Sequence, residues 1–338
     1  MYTADTWPIA AKMNFGSRTE TGEDIATAPL SVWEDQLLQV KELGFSAIDP
    51  MDDWVPLVDL PEERFASFRD MCRDLDLSIP AISVGRRSVV DVRNGDTNLA
   101  FVHDLIDRGH ELGAQVINIG FMEALTPAQE KALWFWLAPG HVCDPQLRPL
   151  AIERVRELAR HAGQYGMQIS LEMYEDTYVG THDGAVSFVR DIDRDNVGLN
   201  PDIGNLIRLH RPMPSYQEMF DAVLPYANYW HIKNYIRDED PETGTYMSAP
   251  VPLESGLINY RAVIRQGLRG GFTGAFMVEH YGSDWLGVGA TNARYIRQVL
   301  RSALRTIDPF AADGDSVRSA TSPAGGSSGG EAAAASSY

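Results

Sequence analysis

Four short apolar runs in the second half of the chain each end on a residue able to ligate a metal. Met167–Glu172 ends on Glu172, Val197–Asp202 on Asp202, Tyr229–His231 on His231 and Ala275–Glu279 on Glu279. The intervals between those four residues are 30, 29 and 48 residues. A β-strand with its return helix in an eight-fold barrel takes about 31 residues, from roughly 250 residues over eight units. The spacing therefore predicts three carboxylates and one imidazole rising from consecutive parallel strands, all at the same end of the sheet.

The rest of the chain repeats the same rhythm. Strands are predicted at Ile9–Asn14, Ala47–Pro50, Ile79–Val84, Val116–Gly120, Met167–Glu172, Val197–Asn200, Tyr229–His231 and Ala275–Glu279. They are mostly continuous apolar runs, as expected of parallel strands covered on both sides. Helix signals separate them. Ser31-Val32-Trp33-Glu34 and Ser215-Tyr216-Gln217-Glu218 read as capping boxes, and Thr126-Pro127-Ala128-Gln129 adds proline at the first helical position. Gly44, Gly113 and Gly166 each follow a helical pattern and precede a strand, the place of a left-handed stop. Eight strand–helix units predict an α/β fold, a closed (β/α)8 TIM barrel over residues 1–308. The competing doubly wound sheet calls for a G-x-G-x-x-G turn after an early strand, and the sequence has none. Two connections are long: Gly120–Arg148, with the aromatic run Trp134-Phe135-Trp136, and Lys233–Tyr260, rich in charge, Pro and Gly. Long loops at the C-terminal ends of barrel strands are expected to build a substrate pocket. From about Asp308 the composition collapses to Ser, Gly, Ala and Asp, so residues 309–338 are expected to form a disordered tail.

Bulk properties narrow the function. A net charge of −18 weighs against nucleic-acid binding, which needs a basic face to neutralise phosphate. No stretch approaches the roughly 20 apolar residues of a membrane span, and the N-terminal Met1–Trp7 lacks the basic start and apolar run of a secretion signal. The two cysteines, Cys72 and Cys143, lie too far apart in sequence to suggest a disulfide framework or a metal cluster, which fits a reducing cytoplasm.

Carboxylates suit a hard divalent cation, and one imidazole shifts the preference toward Mn, Co, Fe or Zn. Glu172, Asp202, His231 and Glu279 are thus the candidate ligands of one divalent cation, Mn2+ first, with Mg2+, Co2+ or Zn2+ as alternatives. Each alone is equally an ordinary polar strand end; the case rests on four in succession. Such a cation, holding adjacent sugar oxygens, acidifies the carbon between them and stabilises an enediolate.

Over roughly residues 8 to 305 the sequence resembles the xylose-isomerase-like barrel superfamily of sugar isomerases, epimerases, dehydratases and endonucleases. Glu172, Asp202, His231 and Glu279 match that family's metal set one by one. Arg237, six residues after His231, matches the substrate-contacting Arg of its ketose 3-epimerases. Asn205 departs from them, because three residues after the metal Asp they carry His. The stretch His231–Asp240, its continuation Thr243–Pro250 and Pro252–Glu254, and the insert ending Pro139-Gly140-His141 most closely resemble the large α subunit of bacterial C-glycoside deglycosidases. That resemblance implies a carbon–carbon lyase. Acting with a small β subunit in a hetero-oligomer, it would take a 3-keto C-glycoside, remove the C2 proton and release the aglycone. The alternative is a ketose isomerase or epimerase with Glu172 and Glu279 as opposed bases. His141, in a long loop on the catalytic side, is the candidate acid or base beside Glu172 and Glu279. Lys233, on the strand face of His231 by period two, is a candidate to polarise a substrate oxygen or to form a rim salt bridge. Asn205, Tyr174 and Arg237 are the other candidate substrate contacts, with Glu175 beside them. Trp134 and Trp136 are read as core or as a stacking surface for a flat aglycone. His280 is expected to point away from the site. His103, His110 and His161 read as helix residues, and His182 and His210 as loop residues.

Overall fold

The computed structural model describes residues 2–306 apart from Ser283; the expected tail at 309–338 lies outside the described residues. The strands are β1 (Ile9–Lys12), β2 (Ala47–Asp49), β3 (Ala81–Ser83), β4 (Val116–Ile119), β5 (Gln168–Glu172), β6 (Val197–Asn200), β7 (Trp230–Ile232), β8 (Asn234–Asp240), β9 (Thr245–Val251) and β10 (Phe276–Val278). The helices are α1 (Leu30–Glu42), α2 (Glu62–Asp74), α3 (Gly95–Glu111), α4 (Pro127–Lys131), α5 (Arg148–Gln164), α6 (His182–Ile192), α7 (Gly204–Ile207), α8 (Tyr216–Val223), α9 (Tyr260–Arg269) and α10 (Trp285–Leu304).

Parallel pairing runs β2-β1-β10-β7 in one arc and β3-β4-β5-β6 in the other. Two seams close the ring. Ser78 joins Ala47 beside β2, and Ala227 joins Leu199 beside β6. Backbone bonds hold them, Ile48 N to Ser78 O at 2.9 Å and Asn228 N to Leu199 O at 3.1 Å. The result is the predicted (β/α)8 barrel, with all eight barrel strands inside or overlapping the predicted segments.

Period two sorts each strand into an outer and an inner row. Outer residues such as Ile48, Ile82, Ile117, Leu171, Trp230 and Phe276 are buried against the helices in one large apolar cluster. Each such side chain contributes about 1.5–3 kcal/mol by leaving water. The inner row begins apolar, with Ala10, Ala47, Ala81, Val116, Tyr229 and Met277. Two residues further along the same rows it turns polar. Asp49, Ser83, Asn118, Glu172, Asn200, His231 and Glu279 are all buried, and Lys12 is paired with Glu279. The barrel thus has an apolar floor and a polar upper belt at the C-terminal ends of its strands.

Two local expectations need correction. Ser31 does not cap α1: the helix begins at Leu30 behind Pro29, with no side-chain cap, because proline presets the helical entry a residue earlier. The segment after Lys233 is not an irregular loop. β8 and β9 form an antiparallel ribbon paired from Asn234↔Val251 to Asp240↔Thr245. Its outer half carries Arg237-Asp238-Glu239-Asp240, and that charge imitates a solvated loop in sequence. Other signals act as expected. Thr126 makes a full capping box with Gln129, the Ser215 side chain accepts from Glu218 N, and Gly44, Gly113 and Gly166 take φ of 91°, 78° and 70°.

Candidate metal centre

The polar belt brings Glu172, Asp202 and His231 together. One ligand atom from each lies within 4.8 Å of the others, and all three residues are buried. His231 Nδ1 sits 3.6 Å from Glu172 Oε2 and 3.7 Å from Asp202 Oδ2. Neither His231 Nδ1 nor Asp202 Oδ1 has a hydrogen-bond partner among the described residues. Two buried polar atoms left bare beside two carboxylates are costly unless a cation completes the group. The donor set, two carboxylates and one imidazole, therefore fits a divalent metal.

Neighbouring side chains aim these groups. Asn118 Nδ2 donates to Glu172 Oε2 at 3.2 Å, and Asn205 Nδ2 donates to Glu172 Oε1 at 3.1 Å. Asp49 Oδ2 accepts from Ser83 Oγ at 2.6 Å and from Tyr229 OH at 2.7 Å. Ser83 Oγ lies 3.0 Å from His231 Nε2. Its one proton is given to Asp49, so toward the imidazole it accepts, which places the ring proton on Nε2 and the lone pair on Nδ1.

Glu279 stands apart from the triad. Its Oε1 accepts from Lys12 Nζ at 2.7 Å, and its Oε2 is held by Lys233. Lys233 Nζ also donates to Asp202 Oδ2 at 2.8 Å, so this ammonium joins the fourth candidate to the triad. Lys233 is fully buried in the belt and is no rim residue. The two flanking carboxylates differ accordingly. Burial pushes the Glu172 pKa up, the His231 charge opposing it. Burial acts on Glu279 in the same sense, but Lys12 and Lys233 outweigh it and hold that carboxyl well below its ordinary range. Burial opposes the charged form of His231, yet Glu172 and Asp202 raise its pKa.

A roof of loops covers the centre. Met51, Arg86 and Asp176, just beyond β2, β3 and β5, have φ of 52°, 52° and 61°. Such strained backbone clusters where loops are held for function. Trp134 and Trp136 stack with centroids 4.9 Å apart, and Trp136 packs edge-on to Tyr235 and Tyr281. Trp136 is thus buried in the roof itself. Tyr174 OH accepts from Arg86 Nη2 at 2.9 Å. His141 is half-exposed, its Nε2 2.9 Å from Glu123 Oε2, and it lines a small cavity with Tyr174 and Glu175. Arg237 does not open toward the centre. Its guanidinium donates to the carbonyls of Ile207, Leu209 and Arg211 and pins the β8–β9 ribbon to the chain after α7. His280 is half-buried, and burial lowers its pKa. His103 and His161 bond each other across α3 and α5, His110 stacks on Tyr165, His182 lies near Glu218, and His210 approaches Ser248. A cavity of about 950 Å³ opens at the opposite end of the barrel beside Pro8, Ser78, Gln115 and Gly274, away from this chemistry.

Sequence reading missed Lys12, Asp49, Ser83, Asn118 and Arg208. The first four end inner rows of the first four strands, and counting by two from Ala10, Ala47, Ala81 and Val116 finds them. Arg208 carries no such signal.

The model of the family described as "Xylose isomerase-like TIM barrel" matches residues 37–306. A crystal structure of a xylose isomerase-like TIM barrel protein from Mycobacterium smegmatis in complex with magnesium is 60% identical. It has a TM-score of 0.88, over 90% of this chain and 100% of that one. An L-ribulose 3-epimerase shares the fold at 14% identity and TM-score 0.64, over 93% and 100% of the two chains. A 3-keto-D-glucoside 4-epimerase from E. coli does so at 12% and 0.59, over 86% and 99%. No curated protein sequence matches. With a closed barrel, a buried Glu/Asp/His group at the C-terminal strand ends and a family match over most of its length, the chain belongs to the xylose isomerase-like TIM barrel family.

Proposed function

We propose that the chain is a divalent-metal-dependent carbon–carbon lyase that removes the aglycone from 3-keto C-glycosides. Glu172, Asp202 and His231 would hold the cation. When bound, it supplies Lewis-acid stabilisation of negative charge developing on sugar oxygens. The magnesium in the 60% identical protein supports a hard divalent ion here; Mn2+ suits the imidazole equally.

The observation that carries this reading is the unequal state of the two flanking carboxylates. Epimerisation through opposed bases needs Glu172 and Glu279 to exchange a proton across the sugar plane. Glu279 is clamped by Lys12 and Lys233, which makes it a weak base. Elimination asks for one proton relay only. The C2–H bond breaks, its electrons form the C1–C2 double bond, the bond from C1 to the aglycone breaks, and the aglycone carbon takes a proton. His141 suits that relay. Glu123 orients its Nε2, leaving Nδ1 to remove the C2 proton and return it to the leaving carbon. Lys233 neutralises charge beside Asp202 and Glu279, while Asn205 holds Glu172 in place. Tyr174 lines the approach. Arg237 serves the site by fixing the ribbon.

A small β subunit completing a hetero-oligomer is part of the proposal. So is a cytoplasmic setting, consistent with two free cysteines and with no described helix long and apolar enough to cross a membrane. The test is incubation of the purified chain, with and without co-purifying polypeptides, with a 3-keto C-glycoside and with free ketoses. Aglycone release without ketose turnover supports the lyase. Ketose interconversion alone replaces it with the epimerase.

A further inference from the structure

Arg208, which ends the turn after α7, is fully buried yet incompletely bonded. Its Nη2 donates to Glu175 Oε1 at 3.2 Å and Oε2 at 3.1 Å, while Nε and Nη1 have no partner among the described residues. Its guanidinium lies 4.8 Å from the Phe135 ring centroid, 4.9 Å from Trp136, 5.3 Å from Tyr174 and 5.8 Å from Tyr281. Two further polar groups of the same nest, Trp136 Nε1 and Tyr235 OH, are also buried and unpartnered. An arginine serving only as a staple would spend its N–H groups on protein oxygens, as Arg237 does. Here Arg208 Nε and Nη1, Trp136 Nε1 and Tyr235 OH lie buried in one nest without a partner among the described residues, and buried donors of that kind call for an acceptor.

The nest also stands in the right place. Its members come from the connections after β4 (Phe135, Trp136), β5 (Tyr174, Glu175), β6 (Arg208), β7 (Tyr235) and β10 (Tyr281). These are five of the barrel's eight catalytic-face connections. Tyr281 forms its floor, 5.5 Å from Lys233 Nζ and 5.6 Å from Lys12 Nζ. Those are the two ammonium groups that hold Glu279, so the nest roofs the metal centre directly. A molecule with oxygens in the centre meets these rings where its remaining bulk extends toward the nest. The rings offer faces and edges for a flat group, and Arg208 offers cationic N–H donors to an oxygen on it.

We propose that Arg208 is a substrate-binding residue for an anionic oxygen on a flat ring, a phenolate or an arene carboxylate, taken up among the rings of Phe135, Trp136, Tyr174 and Tyr281. The inference rests on reading the neighbouring belt as the reaction centre, and it names the non-sugar part of the substrate. Entry requires the insert bearing Phe135 and Trp136 to lift. Within that insert the two rings sit on a single short turn, Phe135–Leu137, close behind the solvent-exposed Leu133.

The test is calorimetric titration of the metal-free full chain with 4-nitrophenolate, 4-nitrobenzoate and the neutral 4-nitroanisole. The expected result is at least tenfold tighter binding of one or both anions than of the ether. Which anion wins separates phenolate from carboxylate. Arg208→Gln is expected to abolish that preference, and Trp136→Phe, which removes one bare N–H and keeps the charge, to weaken anion binding about threefold. Equal binding of anion and ether by the wild type, no saturable binding of any probe, or an unchanged preference in Arg208→Gln overturns the proposal, leaving the donors to a structural water only. The wild-type comparison stands even if Arg208→Gln fails to fold. Asp202→Ala, which removes a metal ligand, should keep the anion preference. Intact preference without aglycone release would sink the lyase reading and leave this one standing. Aglycone release with no anion preference would do the reverse.

Discussion

Ser83 sets the tautomer of His231, and its removal should weaken metal binding by a calculable amount. The Ser83 proton is committed to Asp49 Oδ2 at 2.6 Å, so its oxygen accepts from His231 Nε2 at 3.0 Å. In Ser83→Ala that acceptor is gone. The group left near Nε2 is Asn118 Nδ2, 3.4 Å away and a donor. A donor there favours a bare Nε2 and moves the ring proton to Nδ1, where it points at Glu172 and Asp202. Binding a cation must then reverse the tautomer. The lost preference is that of one hydrogen bond relayed to a carboxylate, about 1.5–3 kcal/mol, or roughly 10–100-fold in affinity, the range common for partners behind a metal ligand. Titration calorimetry with Mn2+ and Mg2+ at neutral pH reads the affinity, and the ring 15N shifts of His231 read the tautomer. The variant should stay folded, since the three buried hydrogen bonds it loses, to Asp49, His231 and Asn118, are worth about 1 kcal/mol each. An affinity within threefold of wild type, with His231 still protonated on Nε2, would refute the relay.

Four further outcomes are expected. Lys233→Met strands Asp202 as a buried charge, leaves Glu279 to Lys12 alone and should cost the metal-free protein about 3–5 kcal/mol; added divalent cation should then raise its melting temperature more than that of wild type, and an equal shift argues against a cation replacing the ammonium. Glu172 has a raised pKa, so its contribution to stability is largest at low pH and is lost as pH rises through that value; Glu172→Gln should therefore raise the neutral-pH melting temperature of the metal-free protein by about 2 °C or more while abolishing metal uptake, and a lower melting temperature contradicts this. Glu279 is shifted downward, so its contribution is present above the ordinary carboxylate range and is lost as pH falls from about 4.3 through its folded value; in acid-unfolding curves Glu279→Gln should remove part of that loss. A Cβ at Gly204 would meet Lys233 Cγ at 2.5 Å and Asp202 Oδ1 at 3.1 Å, so Gly204→Ala should lower metal affinity roughly tenfold with little change in secondary structure, and unchanged affinity would show that the loop relaxes freely.

The order of strands and helices was legible because it is written in short-range patterns. Apolar runs of three to six residues, capping side chains such as Thr126 and Ser215, and glycines such as Gly44 and Gly166 act within one turn or one strand. An interval near thirty residues was enough to put Glu172, Asp202 and His231 on successive strand ends. The same local logic, counted by two along the inner rows, also held Lys12, Asp49, Ser83 and Asn118. The β8–β9 ribbon was hidden because its charged outer strand satisfies its backbone with a partner rather than with a core.

Closure of the ring decided the rest. Lys12 meets Glu279 across 267 positions of sequence, and that contact, with Lys233, pairs the fourth candidate ligand with two ammonium groups. Arg208 and the rings of Phe135, Trp136, Tyr174 and Tyr281 come from four separate connections, and no spacing rule links them. Sequence alone determined which residues would stand at the catalytic end, since side-chain direction alternates locally along a strand. Only the tertiary structure determined which of them share charge and protons, since electrostatic coupling depends on distances through space that exist once the barrel has closed.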